Sequence, residues 1–519
     1  MGAILSNVAN GAAPAEEAIY EPQLLRAHAA RTRSLLELAG ILLFTLLGFF
    51  VMGYHPGLED DGLYLAAVKA DLNPALFPHN ADFFRLQMRG TCFDTWMAHF
   101  VHSTGIPVAW SELLWQLASL FLILYAVKMI ANRLFQEEHV RWAGVAMVAA
   151  MFTLPVAGTA LYLADQHLHP RTLSTAMILL AVSRILNKKP WQAVLLLIAA
   201  VLLHPLMAVF GISFCIFLAV AMKEPAWRSA RAWRNATPAA IPLAWVFAPA
   251  GPAWNTALHT RTYYFLYKWT WYEWLGALGP LVFFWVIWWI ARKREEPVLA
   301  RFALAVFAYG VFQQALAMVL LWPSSLVRVT PFQPLRYLHL VYLLFVLTAG
   351  CLLGKLVLRR SAWRWTAFLV AVNGCMFAWQ CVEFSGSQHL ELPWREPSNP
   401  WLQAFAWVRT NTPPDAYFAL DPHYLDAHGE DYHGFRALAE RSALADGVKD
   451  AVVVTIVPEL GPAWLRQVQA EKGFDHFALS DFERLKTEFG VDWVLVADPP
   501  PDGLVCRWHN NVLAACQIP

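Results

Sequence analysis

The stretch LLELAGILLFTLLGFFVMGYHPGLEDDGLYLAAV, from Leu35 to Val68, joins a long apolar run to a group of carboxylates. The run over residues 35–54 is long enough to form a helix that crosses the hydrocarbon core of a bilayer. Three consecutive acidic residues follow shortly after it: Glu59, Asp60 and Asp61. The stretch therefore predicts a first membrane helix with an acidic cluster near its end.

The whole chain has the composition of a membrane protein. Of its 519 residues, 58% are hydrophobic and only 15% are charged, which is far from the composition of soluble domains. The 39 basic and 38 acidic residues nearly cancel, so the net charge of +1 indicates no nucleic-acid partner. We expect a polytopic protein embedded in membrane lipids.

Residues 1–34 carry basic side chains just before the apolar run: Arg26, Arg31 and Arg33. This arrangement is similar to the charged region of a signal peptide. Cleavage is not expected, because the run that follows is long enough to span and no A-x-A-like site comes after it. The segment is predicted to be a cytoplasmic tail.

Apolar windows of membrane-spanning length recur between residues 35 and 383 and predict an α-helical domain of about 11 transmembrane helices. The predicted spans are 35–54, 113–131, 142–163, 172–187, 190–204, 206–222, 238–251, 274–291, 299–322, 336–356 and 363–383. The segments 172–187, 190–204 and 238–251 are short, so each is alternatively a tilted, re-entrant or half-crossing helix.

Basic residues set the predicted orientation, since loops on the cytoplasmic side retain Lys and Arg. With the N-terminus inside, every basic loop cluster falls on the cytoplasmic face, for example Lys188/Lys189 and Arg292–Arg294. The large loop 55–112 and the tail 384–519 then lie outside. We expect an integral protein of the bacterial inner (plasma) membrane with a cytoplasmic N-terminus and an extracytoplasmic C-terminal domain.

The tail 384–519 is predicted to be a soluble α/β domain. The segments FRALAERSAL (435–444), PAWLRQVQAEKGF (462–474) and LSDFERLKTEFG (479–490) have helical spacing. The segments AVVVTIV (451–457) and DWVLVAD (492–498) have the pattern of buried strands. Asn510-Asn511 favours a tight turn that brings Cys506 near Cys516 across a hairpin, and on an oxidising face the two thiols would pair.

The acidic cluster has two interpretations. Glu59, Asp60 and Asp61 cap a helix that begins near Gly62, because acidic residues favour helix N-termini. Alternatively, adjacent carboxylates at a low-dielectric boundary repel one another, which suits one of them to general-base or metal-binding work.

A second polar segment, YLADQHLHPRTLSTA (162–176), lies between two predicted spans. Asp165, His169 and Arg171 are its candidate functional residues, and the His-x-His pair is either a metal ligand or, more commonly, structural. An arginine on the outer face opposes the positive-inside tendency and offers a fork for phosphate or carboxylate. His204 precedes Pro205 at the outer end of two short spans. It either marks a break between the two helices or faces the same cavity as the carboxylates.

The outer loop WPSSLVRVTPFQPLRY (322–337) contains two charges, Arg328 and Arg336. Such a loop either holds a lipid-linked phosphate or anchors the chain at the interface. The chain contains no Walker A loop, GxGxxG, GxSxG or HExxH motif, so nothing indicates ATP-driven transport, nucleotide-cofactor chemistry or the familiar hydrolases.

The layout resembles the GT-C superfamily of membrane glycosyltransferases. The resemblance is carried by LEDDG in the first large outer loop, the outer-face arginines and WVRTNTPPDAYF (407–418), which is similar to an opening common in C-terminal domains of such bacterial proteins. HPLMAVFG (204–211) and FRALAERSALADGVKD (435–450) also resemble a little-characterised bacterial membrane family of this shape.

The resemblance implies transfer of a sugar from a polyprenyl-phosphate carrier to an extracytoplasmic glycan or lipid acceptor. Asp60 or Asp61, with Glu59 beside them, would act as the base, and Arg171, Arg328 or Arg336 would stabilise the phosphate that leaves. His169, Asp165 and His204 complete the expected substrate site. No cofactor is implied with certainty, and a divalent metal ion is one alternative.

The competing hypothesis is a membrane protein without catalytic activity. It would be a lipid or polysaccharide transporter, or an assembly subunit whose outer domain binds a protein partner. Geometry distinguishes the two hypotheses: catalysis requires Asp60 or Asp61 to share a cavity with the arginines, whereas carboxylates that point into bulk water argue against it.

Overall fold

The computed structural model describes residues 17–222, 251–426 and 432–519. The predicted span 238–251 lies outside these ranges except for its last residue. Within them the chain is mostly helical up to residue 383. Its longer helices are Glu17–Met52, Val108–Leu134, Pro170–Leu186, Pro205–Ala221, Trp271–Lys293, Pro297–Leu321, Tyr337–Leu353 and Ala362–Glu383.

Six helices of the described residues are long and apolar enough to cross a membrane. They are Ser34–Met52, Val108–Leu134, Trp271–Lys293, Pro297–Leu321, Pro334–Leu358 and Ala362–Glu383. Two shorter apolar helices, Pro190–Leu203 and Pro205–Ala221, stand beside them. These helices indicate an integral membrane protein. Six long helices among the described residues are fewer than the predicted count of about eleven.

The predicted span 142–163 is wrong in its second half. The helix is Glu138–Ala150, and the residues after it form a small antiparallel ladder of strand β1, Pro155–Val156, with strand β2, Leu161–Tyr162. Gly158 in the connecting turn has φ +62°, a conformation that glycine adopts without strain. The segment is apolar throughout, so its hydropathy predicts one continuous helix. Hydropathy does not detect a turn of this kind.

Short helices build the predicted outer loop 55–112: Asp61–Leu72, Asp82–Met88 and Phe93–Thr104. Their apolar side chains share one core with residues from two other parts of the chain, Leu168 of the second polar segment and Val453 of the C-terminal domain. This shared core fixes the acidic cluster relative to both.

The C-terminal part contains a five-stranded sheet in the order β4-β3-β5-β7-β6. Its strands are β3 Tyr417–Ala419, β4 Ser442–Ala443, β5 Trp493–Ala497, β6 Val505–His509 and β7 Leu513–Gln517. Strands β4, β3 and β5 are parallel, and β5, β7 and β6 are antiparallel. The predicted strand in DWVLVAD and the predicted hairpin are confirmed, and Cys506 is disulfide-bonded to Cys516.

Helices complete the C-terminal domain: Pro400–Asn411, Phe435–Ala439, Lys449–Ile456, Gly461–Ala470 and Leu479–Phe489. The predicted strand AVVVTIV is therefore wrong, since all of these residues except Val457 lie in the helix Lys449–Ile456. Just before this helix, Oδ1 of Asp446 accepts hydrogen bonds from the backbone N–H groups of Val448 (2.8 Å) and Asp450 (3.2 Å), which would otherwise lack partners at the helix start. The predicted helix FRALAERSAL is shorter than expected and gives way to β4.

The C-terminal domain contacts the loop that carries the acidic cluster through backbone atoms. The N–H of Gly434 donates to the carbonyl oxygen of Gly57 at 2.8 Å. A Cβ added to Gly434 would lie 2.7 Å from Cα of Gly62. Since only two glycines allow this approach, the two segments pack with backbone against backbone.

Candidate functional site

Asp60 lies at the centre of a group of charged side chains from three parts of the chain. Its Oδ1 accepts a hydrogen bond from Nζ of Lys449 at 3.0 Å, across from the C-terminal domain. Its Oδ2 lies 3.6 Å from Nε2 of His169 and 3.9 Å from Nη1 of Arg171. The Asp60 side chain is 27% exposed, so this carboxylate is surrounded by partners but open to a ligand on one side.

The capping interpretation of the acidic cluster does not account for Asp60. The helix Asp61–Leu72 begins directly after it, yet its side chain makes no cap hydrogen bond. The preceding residue, Glu59, has φ +49°, in the left-handed region that non-glycine residues rarely adopt. The backbone is thus held in a strained turn that directs Asp60 toward its charged partners.

The second polar segment supplies those partners because of how its helix begins. The helix Pro170–Leu186 starts with proline, and Nδ1 of the preceding His169 accepts a hydrogen bond from the backbone N–H of Arg171 at 2.9 Å. In a neutral imidazole the proton then resides on Nε2, the nitrogen that faces Asp60. Burial of His169, together with the charge of Arg171, lowers its pKa to about 4, so the neutral form prevails near pH 7.

Asp165 holds Arg171 in place. Both oxygens of this carboxylate accept hydrogen bonds from the guanidinium, and Oδ2 also accepts one from the hydroxyl of Thr172 at 2.9 Å. Although burial opposes ionisation, Arg171 and the neighbouring histidines hold the pKa of Asp165 well below its usual range. Arg171 is only 2% exposed, and its Nη1 remains directed at Asp60.

The electrostatics also keep Asp60 ionised. Its crowded surroundings oppose charge, but Lys449, His169 and Arg171 outweigh that effect and hold the pKa of Asp60 well below its usual range. Asp60 is therefore a carboxylate at neutral pH.

Asp61 has a different environment from Asp60. It is 2% exposed, and its Oδ2 accepts a hydrogen bond from the backbone N–H of Gly57 at 2.6 Å. Its carboxyl group also contacts that of Glu112, which is equally buried. Burial raises the pKa of Asp61 despite the neighbouring His167. Asp61 thus closes the turn before Asp60 and faces the protein interior.

His204 and Arg336 border the same group. The ring of His204 lies 5.9 Å from that of His169, and its Nδ1 accepts a hydrogen bond from the N–H of Met207 at 3.3 Å, which starts the helix Pro205–Ala221. Arg336 is within electrostatic reach of Asp60 and donates through Nε to Oε1 of Gln333.

Arg328 lies in another environment. Its guanidinium is stacked 4.8 Å from the ring centroid of Trp254. The indole N–H of Trp254 in turn donates to the carbonyl oxygen of Thr455 in the C-terminal domain at 3.0 Å. Arg328 therefore contributes to the contact between the two domains.

Sequence reasoning missed Lys449 and Glu112 as site residues. Lys449 lies two residues before the predicted strand AVVVTIV, and nothing in the sequence places it beside Asp60. Glu112 lies in the second turn of the long apolar helix Val108–Leu134. Its position is a signal in the sequence, because a carboxylate near the end of a membrane-spanning helix needs a partner. His167 was visible in the His-x-His pair, and neither of its ring nitrogens has a hydrogen-bonding partner among the described residues.

A possible metal site lies beside this group. In the parts of the chain that the structure describes, the ligand atoms of His55, Glu391 and His433 all lie within 4.8 Å of one another. None of the three residues belongs to the acidic cluster. Among the described residues, the acidic cluster itself is not part of a group of three ligands with this spacing.

No protein-family model matches this chain, and no curated protein matches its sequence. Among solved structures, it is similar to the archaeal oligosaccharyltransferase AglB from Archaeoglobus fulgidus in complex with an inhibitory peptide and a dolichol-phosphate. That match has a TM-score of 0.47 and 11% sequence identity, and it covers 90% of this chain and 70% of that chain. The chain is also similar to the Archaeoglobus fulgidus oligosaccharyltransferase complex with Zn and sulfate, with a TM-score of 0.45 and 11% identity over 88% of this chain and 68% of that chain.

Proposed function

We propose that the chain is a membrane glycosyltransferase that moves a sugar from a polyprenyl-phosphate-linked donor to a glycan or lipid acceptor on the extracytoplasmic face. One observation carries the proposal: the ionised, partly open carboxylate of Asp60 lies 3.9 Å from a buried arginine, Arg171. A base for an acceptor hydroxyl and a cation for a leaving phosphate are thus next to each other.

In the proposed reaction, the acceptor oxygen forms a bond to the anomeric carbon while the bond from that carbon to the phosphate oxygen breaks. Asp60 accepts the hydroxyl proton, and the electron pair of the broken bond leaves with the polyprenyl phosphate. Arg171, with Arg336 at the border of the site, stabilises the charge that develops on the phosphate. Nε2 of His169 lies 3.6 Å from Oδ2 of Asp60, so the imidazole forms one polar wall beside that carboxylate.

The other predicted residues have supporting roles in this scheme. Asp165 fixes the guanidinium of Arg171, and Asp61 fixes the turn that carries Asp60. Both are proposed as positioning residues, since protein groups donate to both oxygens of Asp165 and to Oδ2 of Asp61. Glu59 lines a cleft between the acidic turn and the C-terminal domain, together with Asp446 and Lys449. The acceptor is proposed to enter through this cleft because Lys449, one of its lining residues, donates a hydrogen bond to Asp60.

The test is transfer of sugar by the full chain in liposomes that contain a panel of C55 polyprenyl-phosphate sugars and an extract of envelope glycans as acceptors. Asp60→Asn is expected to lower transfer at least about 100-fold, the usual size of a general-base contribution, while the amount of folded protein is unchanged. The matched control is Asp82→Asn, an exposed carboxylate of the same loop. Undiminished transfer by Asp60→Asn would reject the assignment of the base.

The runner-up function, a transporter or assembly subunit without catalysis, makes a different prediction in the same liposomes. If the chain is not catalytic, wild-type protein transfers no sugar in these liposomes, whether or not it binds C55 polyprenyl phosphate. Arg171→Gln distinguishes binding from chemistry: loss of affinity for C55 polyprenyl phosphate supports a phosphate site, and the control Arg395→Gln, exposed in the linker, is expected to bind as wild type.

A further inference from the structure

A buried group of two imidazoles and one carboxylate lies where three parts of the chain meet. His55 follows the first membrane helix, Glu391 belongs to the linker after the last one, and His433 precedes the helix Phe435–Ala439 of the C-terminal domain. Nε2 of His433 lies 2.7 Å from Oε2 of Glu391, and Nδ1 of His55 lies 3.4 Å from Oε1. His55 is 0% and His433 2% exposed.

Part of this group has no hydrogen-bonding partner among the described residues. Nε2 of His55 and Nδ1 of His433 are both buried without one. A buried polar atom left unsatisfied costs about 1–3 kcal/mol, so structures seldom retain several of them together without a reason. The ring of His55 is further fixed by stacking on Phe384, with 4.4 Å between ring centroids.

Two imidazoles and one carboxylate are a common ligand set for zinc and other divalent transition metals. Their ligand atoms all lie within 4.8 Å of one another, a spacing at which the three side chains could hold one metal ion.

We propose that His55, Glu391 and His433 bind a divalent transition-metal ion of the zinc class. Three protein ligands leave a fourth position for water. The inference is independent of the glycosyltransferase proposal, because none of the three residues belongs to the group around Asp60.

The position of the site indicates a structural role. The backbone N–H of His55 donates to the carbonyl oxygen of Gln166 at 2.8 Å, and Gln166 lies directly between Asp165 and His167. Tyr54 exchanges backbone hydrogen bonds with the linker, accepting from the N–H of Glu391 at 2.9 Å. An ion that holds His55 to Glu391 and His433 would therefore fix the second polar segment relative to the C-terminal domain.

The experiment is Co²⁺ titration of the full chain in detergent, followed by the visible absorption of the bound ion. Wild-type protein is expected to bind about one Co²⁺ with a d–d band of a four- or five-coordinate site. Glu391→Gln and His433→Gln are expected to lose both the band and the bound ion. Glu396→Gln, an exposed carboxylate of the same linker, is the matched control and retains both.

Two further variants keep the result interpretable. His433→Cys supplies a thiolate, so it is expected to retain Co²⁺ and to add a sulfur-to-cobalt charge-transfer band that a misfolded protein would lack. Asp60→Asn is expected to lose sugar transfer and keep the d–d band, which separates this site from the proposed function. If Glu391→Gln and His433→Gln bind Co²⁺ with the wild-type stoichiometry and spectrum, the three residues form a hydrogen-bonded group without a metal and the proposal is wrong.

Discussion

Lys449 of the C-terminal domain donates a hydrogen bond to Asp60 of the loop 55–112 at 3.0 Å. The contact brings a cation to the candidate base from a residue 389 positions away in the chain. Lys449 therefore both neutralises Asp60 in the resting structure and couples its charge to the position of the C-terminal domain.

The Lys449 contact predicts a shift in the pH dependence of activity. Lys449 lowers the pKa of Asp60, so Lys449→Met is expected to raise that pKa. If the carboxylate form is the active one, activity on the acid side is then lost at a higher pH than in wild type. The measurement is the pH profile of transfer in liposomes; Lys449→Arg retains a positive charge and is expected to keep the wild-type profile. An unchanged acid limb in Lys449→Met would contradict the coupling.

The pair of Asp165 with Arg171 predicts a large effect on stability. Asp165→Asn leaves the buried guanidinium without its ionised partner, and loss of one member of such a pair costs about 3–5 kcal/mol. The pKa of Asp165 is depressed in the folded state, so its contribution is present above the unfolded value of about 3.9 and is lost as the pH falls below it. Thermal melting in detergent at pH 7 tests the effect, and Asp82→Asn should melt as wild type.

The approach of Gly434 to Gly62 predicts that a single methyl group is harmful there. Gly434→Ala places a Cβ 2.7 Å from Cα of Gly62, so the two backbones must separate, at a cost of about 1–3 kcal/mol. Gly386→Ala is the matched control because no atom lies within 4 Å of its added Cβ. The melting temperature is expected to fall only in the first variant, and sugar transfer is expected to fall with it. Equal behaviour of the two variants would show that the contact is dispensable.

The bond between Cys506 and Cys516 predicts both redox sensitivity and orientation. The ten-residue separation closes a short loop, for which removal of the disulfide costs about 2–3 kcal/mol. Cys506→Ser is expected to lower the stability of the C-terminal domain, whereas replacement of the exposed free cysteine in Cys92→Ser is not.

Labelling of thiols in intact cells before and after reduction should reveal two additional reactive groups outside the membrane, since disulfides persist on oxidising faces. Free thiols at both positions without reductant would contradict the predicted orientation.

Hydropathy predicted the membrane class well and the lengths of individual helices less well. The run 35–54 corresponds to the helix Ser34–Met52, which is long and apolar enough to cross a membrane. The predicted span 142–163 fails at a glycine turn. The predicted strand AVVVTIV fails because β-branched residues favour strands, whereas Asp446 accepts hydrogen bonds from the first backbone N–H groups of a helix there. In both segments a single residue at a turn or a helix start outweighs the propensity of the apolar residues around it.

The candidate site was predictable only in its local parts. Asp60 and Arg171 were identified because charges beside apolar spans are unusual and therefore informative. The sequence does not show which of Asp60 and Asp61 lies in the charged group. The two carboxylates are adjacent, and only the folded structure determines which partners each one contacts. Lys449 and the group of His55, Glu391 and His433 join distant segments, and a single sequence contains no signal for such contacts.

The separation of Lys449 from Asp60 also has a consequence for biosynthesis. The acidic turn is translated and inserted early, but the lysine that pairs with it emerges only after the whole membrane region and half of the C-terminal domain have been made. A chain that ends before residue 449 therefore carries Asp60 beside Arg171 but without Lys449. The arrangement around Asp60 is complete only after the first half of the C-terminal domain has been synthesised.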